Sequence, residues 1–161
     1  AGTFHLGIIG LNSLLLLGGP GQQREAIAVL SRLLAPGGIA VIDVWLPLPD
    51  DTARYDGRLG LEWVREDPDS GLTVAKTTAA WYDSATRAVT LTSIFDESEP
   101  GGPVARWIRE DALHLVSAPE VRLFAEDAGL EVEVVAGSYD LAPIEPGDGR
   151  VIVVARRPAA A

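Results

Sequence analysis

The stretch "LLAPGGIAVIDVWLPLP", residues 33–49, decides the reading of this chain. A helix is expected to end at Ala35, because Pro36 cannot continue it and Gly37 and Gly38 give the backbone the freedom to turn. Residues 39–46 then form an apolar run rich in β-branched side chains, as expected of a buried strand. One carboxylate, Asp43, interrupts that run two residues before Trp45. An acid in such a strand needs a partner, or a position at the strand's open end.

Upstream, residues 4–11 (FHLGIIGL) are continuously apolar and predict a strand buried on both faces, closed by Asn12 and Ser13. Residues 18–21 (GGPG) are a breaker. Residues 22–34 predict an amphipathic helix whose inner face carries Ala26, Val29, Leu30, Leu33 and Leu34, with Gln23, Arg24 and Arg32 turned elsewhere. Strand, helix and strand in this order imply a right-handed βαβ unit in a parallel sheet. Two such strands do not complete a sheet, so both are expected to be central members that take partners from outside this polypeptide.

The rest of the chain differs in kind. Residues 47–60 read as a polar connector. Residues 61–65, 72–82, 88–95 and 104–108 read as strands, with residues 83–86 as the turn of an antiparallel hairpin. Residues 117–128 predict a second helix, with Ser117 and Glu120 as a capping box and Gly129 as its stop. Residues 130–136 and 150–155 predict a closing antiparallel strand pair. The expected division is 1–49 with 112–158 as an α/β half-domain, 50–111 as connector and antiparallel insertion, and 159–161 as a tail.

Composition narrows the function classes. The 161 residues suit one ordinary domain. The net charge is −10, and Arg24, Arg32, Glu25 and Asp43 balance, so residues 50–161 carry all of it. Such a surface disfavours a nucleic-acid partner. No run reaches the ~18–20 apolar residues that span a bilayer, and no basic segment precedes the early apolar run; no membrane partner and a cytoplasmic location are expected. Cysteine is absent and only His5 and His114 are present, so thiol catalysis and a cysteine- or histidine-based metal site are not expected. Residues 10–14 (GLNSL) lack the second glycine of a hydrolase nucleophile elbow.

The order of these parts resembles the C-terminal half of a class I S-adenosylmethionine-dependent methyltransferase. Leu34-Ala35-Pro36-Gly37-Gly38 matches the superfamily's LxPGG turn into its fifth strand, and Ala128-Gly129-Leu130-Glu131-Val132 matches the step from its last helix to its sixth. The inserted antiparallel layer is similar to that of the small-molecule N-methyltransferases, such as glycine/sarcosine and amino-sugar enzymes. The resemblance implies an α/β fold: a partial Rossmann-like sheet of late strands and helices with an inserted antiparallel β layer. It also implies S-adenosylmethionine as cofactor and a small-molecule methyl acceptor. The glycine-rich cofactor loop and the ribose-binding acid of the family are not in this sequence. A fragment, inactive alone, is therefore expected; a non-catalytic dimerisation or interaction domain derived from the same fold is the alternative.

Position selects the candidate residues, because ligands of open α/β sheets bind beyond the carboxyl ends of the strands. Asn12 and Ser13, closing the first strand, are expected beside the cofactor's methionine part. Asp43, Trp45, Tyr55 and Arg58 are expected at the substrate. Tyr82 and His114 are the catalytic candidates. Trp81, Tyr82 and Trp107 suit either a substrate cage or a homodimer interface through the antiparallel insertion. His5 reads as structural. Residues 18–21 follow an apolar run and precede a helix, as an anion loop does, but Pro20 lacks a donor, and a surface turn is the better reading.

Overall fold

The computed structural model describes residues 2–159. Two compact units are present: one runs to Asp50 and resumes at His114, the other is Asp51–Leu113.

The first unit is built on a four-stranded sheet of order β1-β2-β8-β7. Its strands are β1 (Phe4–Ile9), β2 (Leu34–Trp45), β7 (Glu131–Ala136) and β8 (Arg150–Arg156). β1 and β2 run parallel, and β8 is antiparallel to both β2 and β7. The connection from β1 to β2 passes through a 3₁₀ turn (Ser13–Leu16) and helix α1 (Pro20–Leu33). Gly19, at φ 103°, precedes α1, and Pro20 opens it, where its missing N–H costs nothing.

The decisive stretch folds differently from expectation at one point. α1 stops at Leu33, and Pro36-Gly37-Gly38 lies inside β2 rather than before it. Between the pairs Phe4–Leu34 and Leu6–Ile39, β2 accommodates extra residues as an irregularity in the ladder. Gly37 adopts φ 78°, its N–H donates to the Arg157 carbonyl (2.9 Å), and the Arg157 N–H donates to the Gly38 carbonyl (2.8 Å). Backbone pairing with the end of the chain holds this bend as sheet. The Arg157 Nη1 also donates to the carbonyls of Ser31 (3.2 Å), Arg32 (3.1 Å) and Leu34, a cationic cap on the last turn of α1.

One face of the sheet is packed. Ala40, Ile42 and Val44 of β2 and Val151, Val153 and Ala155 of β8 are buried, as are Ile27 of α1 and Val121, Phe124 and Ala125 of α3 (Ala118–Asp127). The buried residues of α1 are Gln23, Ile27 and Ser31; of the expected set Leu34 is buried at the start of β2, Ala26 and Leu30 are half-buried, and Val29 and Leu33 are exposed. Gln23, fully buried, donates its Nε2 to the carbonyls of Leu14 (3.3 Å) and His114 (2.7 Å), and Ser31 Oγ donates to Ala128 O (2.9 Å). These bonds are why polar residues hold core positions on this helix. α3 begins as expected: the Ser117 N–H and Oγ–H both donate to Glu120 Oε2 at 2.8 Å. It ends in a Schellman motif, with Gly129 at φ 75°, Leu130 N–H on Ala125 O and Gly129 N–H on Glu126 O.

The opposite face and one edge are open. Within this chain β1 is an edge strand, open on the side where a partner from outside the polypeptide is expected, and it is not buried on both faces: Phe4, Leu6 and Ile8 are 58%, 55% and 62% exposed. His5 is exposed as well. β2, by contrast, has β1 on one side and β8 on the other.

The second unit is a four-stranded sheet of order β3-β4-β5-β6, from Gly60–Glu66, Thr73–Asp83, Ala88–Ser98 and Val104–His114, the last strand ending at the boundary of the first unit. β3–β4 and β4–β5 are antiparallel. The connector before it contains a short helix, α2 (Pro49–Ala53).

Candidate functional site at the ends of the first two strands

The C-terminal ends of β1 and β2 bring four of the expected residues together. After Ile9 the chain turns through Leu11 and Asn12, both left-handed at φ 53° and 62°. This conformation suits Asn but not Leu, so the turn holds a strained, fully exposed leucine. The turn is fixed from the side: Asn12 Oδ1 accepts the backbone N–H of Trp45, the last residue of β2, at 2.7 Å. Ser13 Oγ donates to Gly10 O, closing the turn on itself. Among the described residues the Asn12 Nδ2 group has no protein partner.

Asp43 answers the question raised by its strand. Its carboxylate accepts hydrogen bonds from Arg150 Nη1 and from Tyr139 Oη (3.0 Å). Arg150 Nη1 also donates to Tyr139 Oη at 2.6 Å, and its guanidinium stacks 4.5 Å from the Tyr139 ring centre. Arg150 pairs across the ladder with Trp45, one diagonal step from Asp43. The Asp43 side chain is only 13% exposed, so the pair offsets a substantial desolvation cost. The hydrogen bond to Asp43, with some burial, holds the Tyr139 phenol above its ordinary pKa, against the lowering influence of Arg150.

Beside this cluster lies an open cavity of about 460 Å³, walled by Ile8, Val41, Ile152 and Val154 of the sheet and rimmed by Leu11, Asp43 and Tyr139. Its walls are apolar apart from the Asp43–Tyr139 rim.

The remaining expected residues lie elsewhere. His114 is half-buried and offers its main-chain carbonyl to Gln23. Tyr55, Arg58 and Tyr82 belong to the second unit. There the Tyr82 N–H donates to Tyr55 O (3.0 Å), and Arg58 is an exposed partner of Asp56 (3.1 Å). Burial, reinforced by Asp51, raises the Tyr55 pKa. The glycines at 18–21 do not form an anion cradle: the Gly18 N–H is taken by Gln22 Oε1 (2.6 Å) and the Gly19 N–H by Leu17 O (2.7 Å). Among the described residues no cluster of three metal-ligating side chains occurs, and no helix is long and apolar enough to cross a membrane. Tyr139 and Arg150 carry no motif in the sequence: the return of β8 beside β2 brings Arg150 to Asp43, and the segment between β7 and β8 brings Tyr139.

No protein-family model and no curated protein matches the sequence. Solved structures do. The S-adenosylmethionine-bound amino pentose methyltransferase CalS10 from Micromonospora echinaspora is 26% identical, with a TM-score of 0.70 over 97% of this chain and 59% of its own. DesVI from Streptomyces venezuelae (23%, TM-score 0.71, 99% and 60%) and the sugar N-methyltransferase KedS8 from Streptoalloteichus sp. ATCC 53650 (21%, TM-score 0.73, 98% and 57%) share the fold. The chain thus spans about three fifths of the length of these structures. Over that span it has the α/β fold of the S-adenosylmethionine-dependent small-molecule and sugar N-methyltransferases, antiparallel layer included.

Proposed function

We propose that this chain is the C-terminal portion of an S-adenosylmethionine-dependent methyltransferase acting on the amine of a small molecule, an amino sugar being the class its similar structures suggest. The observation that carries the reading is the likeness to CalS10 along 97% of the chain, joined to a strand-end site of the kind that fold uses. The open edge of β1 and the exposed Leu6 and Ile8 support completion of the sheet by further polypeptide bearing the glycine-rich cofactor loop.

S-adenosylmethionine would supply the electrophilic methyl group. The residues present suit one wall of its site: Asn12 Nδ2 is an unspent donor for a carboxylate, and Ser13 lies beside it. Asn12 holds the turn after β1 against the end of β2, which fixes the position of its own amide. The Asp43 carboxylate, held by Arg150 and Tyr139, would accept a hydrogen bond from an amine and orient its lone pair. An uncharged amine needs no strong base to attack. Holding the reactants in line carries most of the acceleration, with proximity contributing up to ~7–11 kcal/mol in favourable systems. Trp45 would wall the acceptor pocket. His114, which reaches neither Asp43 nor Asn12 through any hydrogen bond among the described residues, is the weaker catalytic candidate.

The test is transfer of a labelled methyl group to amino-sugar acceptors by the full protein that carries this chain, beside the 161 residues alone. Turnover by the full protein and none by the 161 residues is expected. Turnover by the 161 residues alone would refute the fragment reading. A full protein that binds no cofactor would leave the alternative, a non-catalytic interaction domain, which the exposed apolar residues of the second unit favour.

A further inference from the structure

Asp43 and Tyr139 meet at the rim of the apolar cavity of the first unit. The Tyr139 phenol, its pKa raised, holds its proton and donates it to Asp43 Oδ2 at 3.0 Å. The phenol oxygen accepts Arg150 Nη1 at 2.6 Å, and the same Nη1 donates to Asp43 Oδ1. Arg150 also stacks on the Tyr139 ring, which fixes where the hydroxyl stands. Among the described residues nothing else bonds to Tyr139 Oη or Asp43 Oδ2. Each of these oxygens has two lone pairs, of which one is engaged by Arg150 or Tyr139. Two unused acceptors therefore stand 3.0 Å apart on the rim of one cavity, close enough for a single nitrogen to reach both.

We propose that Tyr139, acting beside Asp43, limits how many methyl groups the acceptor amine receives. The inference rests on the methyltransferase reading and adds to it the form of the product. A tetrahedral nitrogen has four directions. The body of the acceptor takes one, and the lone pair, aimed at the methyl carbon, takes another. The two that remain are the N–H bonds of a primary amine, and Asp43 Oδ2 and Tyr139 Oη are there to accept both. In the transfer the lone pair forms the N–C bond, and the C–S electron pair stays with the sulfur of the sulfonium. The ammonium so formed gives one N–H proton to water. A secondary amine with a single N–H results. On a second visit that N–H keeps the stronger bond, to the carboxylate, and the methyl turns to the Tyr139 oxygen. A methyl there shuts water from a lone pair that it cannot bond, which penalises the complex. A site with Asp43 alone would need only one N–H and would take both amines alike. With Tyr139 present the expected product is the monomethylated amine.

Two measurements on the full protein that carries this chain test it. The probes are amino pentose and amino hexose glycosides, each as the primary amine and as its N-methyl derivative. In the first, both forms are titrated calorimetrically into the wild-type protein with S-adenosylhomocysteine present, which has no methyl to transfer. The primary amine should bind about three- to tenfold more tightly, the worth of one neutral hydrogen bond. This measurement needs no variant. In the second, S-adenosylmethionine is supplied, and mass spectrometry gives the ratio of mono- to dimethylated product for wild type and Tyr139→Phe. Phenylalanine keeps the ring beside Arg150 and removes only the hydroxyl. The monomethyl product should dominate in wild type, and the dimethyl share should rise in Tyr139→Phe by a factor similar to the binding preference. Equal binding of the two amines overturns the proposal and leaves the methyltransferase reading standing. So does a Tyr139→Phe protein that is slower but keeps the wild-type product ratio, the mark of a merely structural tyrosine. No transfer by wild type to any of the primary amines overturns the methyltransferase reading and this inference with it.

Discussion

Asn12 Oδ1 receives the backbone N–H of Trp45 at 2.7 Å, so the side chain that closes the first strand also closes the second. Replacing it by Ala leaves that N–H without its partner and forces a Cβ residue with no local hydrogen bond into φ 62°. Asn12→Ala should cost about 2 kcal/mol, combining the lost bond with the left-handed backbone. Asn12→Gly should cost less, because only the bond is lost. Urea unfolding of the two variants gives the order.

Asp43 and Arg150 form a partly buried, hydrogen-bonded pair. Arg150→Met should destabilise by about 2 kcal/mol, since the carboxylate left behind keeps its desolvation cost. Adding Asp43→Asn should recover part of the loss. A double-mutant cycle that found the two substitutions simply additive would contradict the coupling.

Tyr139 carries a pH signature. Its phenol is the acid form that donates to Asp43, and its folded-state pKa is raised. Stability from this bond is fully present below the unfolded-state value and is lost as pH rises through the higher folded-state value. Ultraviolet titration should show two of the three tyrosines, Tyr139 and Tyr55, ionising later than the unfolded protein's tyrosines. The Tyr139 share of that late step should move down in Asp43→Asn and be missing in Tyr139→Phe, while the Tyr55 share stays.

The Pro-Gly-Gly stretch separates two reasons for glycine. A Cβ on Gly38 would stand 2.9 Å from Ala35 O and 3.0 Å from Phe4 O, both backbone atoms that cannot swing aside. A Cβ on Gly37 meets nothing within 4 Å, but φ is 78°. Gly37→Ala should cost about 1 kcal/mol, and Gly38→Ala more, about 2–3 kcal/mol by analogy with overpacked sites. Thermal unfolding of both would show it.

Legibility of the sequence followed the range of the interaction. The capping box at Ser117 and Glu120, the stop at Gly129 and the hairpin turn are local devices, and the structure has each of them, the turn at residues 84–87, one residue later than expected. The same holds for the parallel pairing of the first two strands and the antiparallel return of the last. Which of the first two strands is left open is not local. Both have the apolarity of central members, but the return of β8 closes the far side of β2 and leaves only β1 at the edge. The polarity of Gln23 predicts exposure, whereas the carbonyls of Leu14 and of the distant His114 hold it inside. The site divided in the same way. Strand ends pointed to Asn12 and Asp43, but Tyr139 and Arg150 reach Asp43 across about a hundred residues of chain, a contact no spacing announces.

Calorimetric titration of S-adenosylmethionine into the full protein that carries this chain bears most directly on the whole account. One saturable site is predicted, weakened at least tenfold by Asn12→Ala while the fold is retained. Absence of any cofactor binding by the folded wild-type protein would contradict the assignment of the first two strand ends to methyl transfer.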